Sequence, residues 1–401
     1  MSRVPSHSSD ELTADVERYR ALLIPALVFC YQLVWVLVTV SLPFYIQEIG
    51  TDDPRATLRW TGWIIGVAPF AGVVTGPLWI RWGDKSPRKF YVLGQLIQGC
   101  CFFLTALARN LPEVFGSRLL LGTMGSPQSF ALMIIGRSGK RDVRWEVSAV
   151  QSATTMGTVL APLGMAVVGA RVGYRTSFIF AGAMIVTCAA VIRLGVPEPS
   201  VIRRAEGGGS SGSWMELGTI CLLVLFGYSQ VFFLPSILPG VLPLLGVPPG
   251  EAVTMGGWLL FLSGLSLVVG SVTALPLSSR IGDQRAIVVC LAASSVCLGL
   301  LSTTHNAIGF AVIRSLEMLT IAPVMVLGTA RVAQWTSGQA VGLVNSSRLG
   351  AAFVGPVVAT NLLAWFTVEV TFGALALVGI ACIPLVLRST ARDRWASGGG
   401  S

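Results

Sequence analysis

Histidine is almost missing from this sequence. His7 and His305 are the only two among 401 residues, so a zinc or haem site has little imidazole to draw on. The eight cysteines stand singly apart from the pair Cys100–Cys101, and no CxxC spacing occurs; this excludes a zinc ribbon and a thioredoxin-type motif. A P-loop is also missing. GRSGKR at 136–141 lacks the first glycine and the Ser/Thr of that motif, and Gly207–Gly209 is followed by no lysine. No His/Asp, Ser/Lys or metal-ligand cluster falls in the apolar segments. An enzyme is therefore not expected, nor a cofactor or a metal.

Charge is scarce too. Only 12% of residues are charged and 53% are hydrophobic, with a mean hydropathy of +0.73. A soluble domain carries roughly twice that share of charge. The apolar residues gather in runs of about 20, the length that crosses about 30 Å of hydrocarbon. The spans are expected at 21–46, 60–81, 89–108, 114–136, 146–170, 174–194, 215–244, 254–278, 286–304, 307–330, 337–363 and 369–388. An open sheet would leave backbone groups unpaired in lipid. A β-barrel would show alternating segments of roughly ten residues. An all-α membrane protein with twelve transmembrane helices is the expectation. No cleaved leader is expected, because DELTADVERYR leads into an apolar run too long for a signal core. That tail is expected to form a short surface helix, with Ser8 and Glu11 as a capping box.

The net charge of +9 is explained by where the basic residues lie. Alternate loops hold Arg81, Lys85, Arg88, Lys89, Arg137, Lys140, Arg141, Arg144, Arg203, Arg204, Arg280, Arg285 and Arg331, and the C-terminal tail adds Arg388, Arg392 and Arg394. The opposite loops hold Arg55, Arg59, Arg109, Arg171 and Arg175 with several acids. This bias predicts both termini in the cytoplasm. Nucleic acid is not an expected partner; the lipid bilayer is.

The chain repeats itself. PLWIRWGD at 77–84 returns as PLSSRIGD at 276–283, an offset of 199. Arg118 matches Arg314, Pro162 matches Pro356 and Gln151 matches Asn345, at offsets of 194 to 196. Two pseudo-symmetric six-helix bundles are expected at 21–196 and 214–388, joined by a Gly/Ser-rich cytoplasmic linker at 197–213. Cytoplasmic tails occupy 1–20 and 389–401. Parallel halves with a site between them are one plan of secondary transporters.

On these residues the chain resembles the major facilitator superfamily. GPLWIRWGDKSPRK at 76–89 is similar to its loop 2–3 signature, G-x-x-x-D-R/K-x-G-R-K, with Pro87 at the usual glycine. RLLLG at 118–122 resembles its helix-4 signature. LPFYIQEIG, WTGW and SAVQSATTMGTVLAPLG are similar to the bacterial twelve-span drug:proton antiporter branch, although Ala161, Met165 and Ala166 replace glycines of its helix-5 signature. The resemblance implies the major facilitator fold in a bacterial inner membrane, as a monomer. It implies export of small drug-like or natural-product molecules by alternating access in exchange for protons. A dedicated carrier of one metabolite or organic anion is the alternative. In relatives the loop 2–3 acid latches the cytoplasmic side, so Gly76, Asp84, Lys85, Arg88 and Asp283 are candidate gate residues. Locally, Ser86 reads as the N-cap and Pro87 as the first position of helix 3.

With no ATP site, energy must come from a gradient; one charge crossing 100 mV supplies about 2.3 kcal/mol. Ionisable residues at membrane depth are costly, so each is a functional candidate. Arg314 and Glu317 share one face of a helix and can pair. Glu317 reads either as a proton carrier or as half of a structural ion pair. Arg118 resembles the family's helix-4 arginine, which is tied to proton transfer. Arg348 needs an anionic partner, which is either Glu317 or a substrate. Helix 1 carries no carboxylate at its middle, so the pocket suits neutral or anionic compounds. Tyr31, Trp35, Trp63, Gln128, Gln151, Tyr228, Gln230, Asn345 and Arg348 are the candidate substrate contacts. Pro127, Pro162, Pro323 and Pro356 are expected to bend their helices.

Overall fold

A computed structural model describes residues 9–124, 127–137, 143–196, 198, 214–333 and 338–398. Among these residues every regular element is helical. The first half holds α1 (Ser9–Glu48), α2 (Pro54–Gly83), α3 (Pro87–Leu107), α4 (Leu111–Thr123), α5 (Pro127–Arg137), α6 (Val143–Gly164), α7 (Ala170–Val172) and α8 (Tyr174–Gly195). The second half holds α9 (Trp214–Val241), α10 (Ala252–Ile281), α11 (Asp283–Leu301), α12 (Ala307–Ala333), α13 (Gly338–Trp365) and α14 (Val368–Gly398). Among the described residues, ten helices are long and apolar enough to cross a membrane. The span expected at 114–136 lies on α4 and α5, either side of residues 125–126, which fall outside the described set. The span expected at 146–170 lies on α6 and a π-helical turn, Met165–Gly169. The linker lies outside the described residues except Glu198.

The tail differs from its expectation. Residues from Ser9 continue into the first span as one helix of 40 residues, about 60 Å long. Ser8 lies outside the described residues. Nothing between Asp10 and Leu22 breaks a helix: the stretch has no Gly or Pro, and Pro25 is the first proline inside α1.

Apolar side chains lie on the outside as well as the inside. Leu194, Leu275, Ile308 and Leu377 are exposed, as a lipid-facing surface requires. Inside, the first half packs around two clusters. One joins Leu42, Tyr45, Phe102 and Phe178; the other joins Trp79, Tyr91, Phe130 and Ile192. The second half packs around Phe233, Leu291, Phe310, Ile321 and Phe372.

The two copies of the Gly-Asp turn are built differently. Gly282 has φ +84 and leads directly into α11, a left-handed conformation that favours glycine. Asp283 opens α11 and accepts a hydrogen bond from the Ser278 hydroxyl. Gly83 is instead the last helical residue of α2, and a Cβ there would lie 2.3 Å from the Phe130 ring. Packing, not backbone freedom, demands that glycine.

Ser86 holds the N-cap position of α3 and Pro87 the first turn, yet the Ser86 side chain makes no capping bond. Glu198 does the capping: its Oε1 accepts from the Arg88 backbone N–H at 3.1 Å and its Oε2 from Arg88 Nε at 3.2 Å. Arg88 also donates to the Val196 carbonyl at 2.8 Å. A carboxylate at a helix N-terminus is favoured by the unpaired amides and the dipole there. The pair is 23% and 26% exposed, so solvent screens it. Glu198→Gln should lower stability by less than about 1 kcal/mol, read as a small change in thermal melting; a loss of several kcal/mol would give the clamp a weight its exposure does not explain.

Candidate functional site

The two halves of the chain meet chiefly along two helix pairs, α2 with α13 and α6 with α10, with α9 also touching α1 and α2. Small residues let the backbones approach. At Gly62 a Cβ would lie 2.0 Å from Thr360 Oγ1 and 2.9 Å from the Pro356 carbonyl. At Gly257 it would lie 2.6 Å from both the Ala166 Cβ and the Pro162 carbonyl. Aromatic contacts extend the first seam: Trp63 packs against Phe353 at 5.8 Å, Phe70 against Phe353 at 5.0 Å, and the Arg59 guanidinium lies 5.7 Å from the Trp365 ring. Phe44 of α1 reaches within 3.0 Å of the Cβ position at Gly256.

These contacts run from the end of the bundle where α2 begins and α13 ends to about the middle of both helices. Toward the other end the helices part. A Cβ at Gly76 would meet nothing within 4 Å. Gln151, Ser152 and Thr155 on α6 are exposed, as are Asn345, Ser346 and Arg348 on α13. Polar side chains at this depth belong to a water-filled cavity rather than to lipid. The cavity is closed at the end where α1 stops and open at the end carrying the basic loops.

The structure brings Arg348 to Tyr228: the guanidinium lies 5.4 Å from the ring centroid. Tyr228 stacks in turn on Phe232, with centroids 6.2 Å apart at 21°. Facing them in the first half, Gln32 Nε2 donates to Thr158 Oγ1 at 3.0 Å. Three candidate contacts are placed otherwise than expected. Tyr31 is buried and its hydroxyl donates to Gln98 Oε1 at 3.0 Å, because α3 packs against it. Gln230 is buried inside the second half, where its Oε1 accepts from Ser294 at 2.8 Å. Trp63 belongs to the α2–α13 seam. Trp35 is half-buried and stacked on Tyr31. The Gln128 side chain lies outside the described residues.

Glu317 is 0% and Arg314 1% exposed, and the two form an ion pair within α12. Arg314 also donates to the Gln230 carbonyl at 2.6 Å and lies 5.1 Å from the Phe233 ring. Glu317 Oε1 has no hydrogen-bond partner among the described residues. Arg348 therefore does not pair with Glu317; α12 supplies that partner three residues away, and α13 presents Arg348 to α9 instead. Arg118 is 2% exposed on α4, beside Cys101, and its Nε and Nη1 have no partner among the described residues. Asp84 and Lys85 are exposed at the end of α2.

Sequence reasoning missed Glu198 and Phe232. Glu198 is 110 residues from Arg88 and carries no local signal. Phe232 was legible: Tyr31 and Trp35 recur as Tyr228 and Phe232 at an offset of 197, within the register of the other repeats.

Comparison with known proteins agrees with this geometry. A family model described as Major Facilitator Superfamily matches residues 26–248 and 220–400. Multidrug resistance protein MdtG of Escherichia fergusonii is 23% identical over 274 residues, 65% of this chain and 66% of that protein; this chain thus spans just under two thirds of that relative. The protein of the same name from Klebsiella pneumoniae is 23% identical over 292 residues, 70% of each chain. Among solved structures, nucleoside transporter NupG superposes with a TM-score of 0.74 at 13% identity, covering 92% of this chain and 98% of that one. Human organic anion transporter MFSD10 superposes at 0.65 and 18% identity, covering 92% and 99%. With a family model covering nearly the whole chain, this chain belongs to the Major Facilitator Superfamily and is a transporter, not an enzyme.

Proposed function

We propose that the protein exports small organic, drug-like molecules by alternating access, in exchange for protons. Twelve helices in two six-helix halves cross a bacterial inner membrane as a monomer, with both termini and the basic loops in the cytoplasm. The cavity then opens inward in this structure. The relatives named multidrug resistance protein support the substrate class.

The observation that carries the proton reading is the Arg314–Glu317 pair, with one carboxylate oxygen unpartnered at membrane depth. A carboxylate there is expensive unless it works. Glu317 takes up the proton. Arg314 holds the carboxylate in place through the Gln230 carbonyl, so its geometry is coupled to α9, the helix that also carries Tyr228. Arg118 is the first-half counterpart of Arg314 and serves proton transfer there. Asp84, Lys85, Arg88 and Gly76, with Asp283, form the cytoplasmic gate. The halves meet there when the cavity turns outward, and in this structure Arg88 rests on Glu198 instead.

Proton flux in proteoliposomes tests the reading. A pH-sensitive dye inside should report release when neutral or anionic aromatic compounds are added, with cationic analogues giving the weakest signal. Glu317→Gln keeps the shape and a hydrogen bond to Arg314 and should abolish the signal. Compound flux with no proton signal in the wild type would remove proton exchange and Glu317 from the account.

A further inference from the structure

We propose that Arg348 is the docking point for the carboxylate of an aromatic organic anion in the central cavity. The inference rests on the reading of the chain as a carrier of small organic molecules and names the chemistry of its site.

The geometry leaves Arg348 half used. Its guanidinium carbon lies 5.4 Å from the Tyr228 ring centroid, a cation–π contact that consumes none of its N–H donors. The planar fork of N–H donors matches a carboxylate bidentately. No carboxylate or carbonyl among the described residues takes these donors, and the residue is exposed to the cavity. A protein that needed Arg348 only for packing would have paired it, as it paired Arg314 with Glu317.

The surroundings choose the rest of the ligand. Tyr228 and Phe232 stack one turn apart along α9, a platform for an aromatic body beside the charge. Asn345, one turn from Arg348 on α13, adds a neutral hydrogen-bonding group. Across the cavity, Gln151, Ser152 and Thr155 are exposed and neutral. Gln32 and Thr158 are bonded to each other. The described acids are out of reach: Glu317 is sealed in the second half and committed to Arg314, Glu48 lies where α1 ends, and Glu146 lies in the first turn of α6, five residues before Gln151, with an interaction of its own. The charge offered to a ligand by the described residues is thus positive. A carboxylate is attracted, a neutral analogue is indifferent and an ammonium is repelled. Specificity arises from that difference as much as from the contact itself.

The test is equilibrium dialysis of the purified full-length protein in nanodiscs with three probes sharing one ring system: 2-naphthoate, 2-naphthamide and 2-naphthylmethylammonium. Naphthoate is expected to bind about tenfold more tightly than the amide, with the ammonium weakest. Arg348→Gln should bring naphthoate to the affinity of the amide and change the amide itself less than about threefold. Arg348→Lys keeps the charge and loses the fork, so it should fall between. Equal wild-type affinities for acid and amide would overturn the proposal. So would parallel losses of both in Arg348→Gln, or no naphthoate binding at millimolar concentration to protein that melts normally. Binding requires no proton gradient, so a carrier that fails the proton test can still pass this one, and the reverse.

Discussion

Arg314→Met is expected to cost about 3–5 kcal/mol of stability, the effect of stripping one partner from a fully buried ion pair. The magnitude comes from what is left behind. Glu317 is 0% exposed and its Oε2 depends on Arg314, while its Oε1 has no partner among the described residues. Removing the guanidinium leaves a carboxylate in a core of Phe233, Ile321 and Leu298 with nothing to satisfy it. The Gln230 carbonyl also loses its donor. Replacing both charges by apolar groups of similar size, Arg314→Met with Glu317→Leu, should recover most of the loss, because no charge is then buried. The comparison separates structure from function. Under the proton reading the double variant melts near the wild type yet gives no compound-dependent proton signal. A double variant that folds and still exchanges protons would reduce the pair to a structural device. Thermal melting in detergent and the liposome dye assay, run on the same preparations, check both halves of this prediction.

Gly62→Leu should displace the whole molecule from the state described here. Even a Cβ at Gly62 would sit 2.0 Å from Thr360 Oγ1 and 3.1 Å from the Val357 Cα. Those neighbours belong to α13, and backbone cannot shift as a flexible side chain can. Overpacking typically costs about 1–3 kcal/mol, and here the strain has an exit: the α2–α13 seam can part. A bias of about 2 kcal/mol changes the ratio of two states roughly 30-fold, enough to empty the closed seam if it is favoured by less than that. Spin labels replacing Arg59 and Trp365, which touch across the seam, should report a longer distance in Gly62→Leu. Gly76→Leu is the control, since a side chain at Gly76 meets open space in this state; it should leave the Arg59–Trp365 distance as it is. An unchanged distance in folded Gly62→Leu would mean that the seam is not the moving element.

Much of this was readable before any coordinates. Bilayer thickness sets a length that apolar runs must meet, so the spans appear as stretches of composition and need no tertiary contact to be seen. The repeat is visible because two halves that build the same helices keep the same landmarks, Asp84 with Asp283 and Arg118 with Arg314. The Arg314–Glu317 pair is visible because three residues along a helix is a distance the backbone itself dictates.

What the sequence by itself determined, then, is whatever depends on local geometry and on the solvent: helical spans, their basic ends, the repeat and the intrahelical ion pair. The tertiary structure alone decided the partners drawn from elsewhere in the chain. Arg348 had two candidate partners, and only the packing of α13 against α9 gave it Tyr228 rather than Glu317. Tyr31 and Tyr228 occupy equivalent places in the repeat, yet α3 buries one against Gln98 while the other faces the cavity. Ser86 had every local mark of a cap, yet the bond to the helix N-terminus comes from a carboxylate 112 residues away. Which end of the cavity is closed was decided in the same way, by side chains on opposite halves. Spacing along one helix says which face a residue is on; what stands opposite that face is set by how whole helices pack.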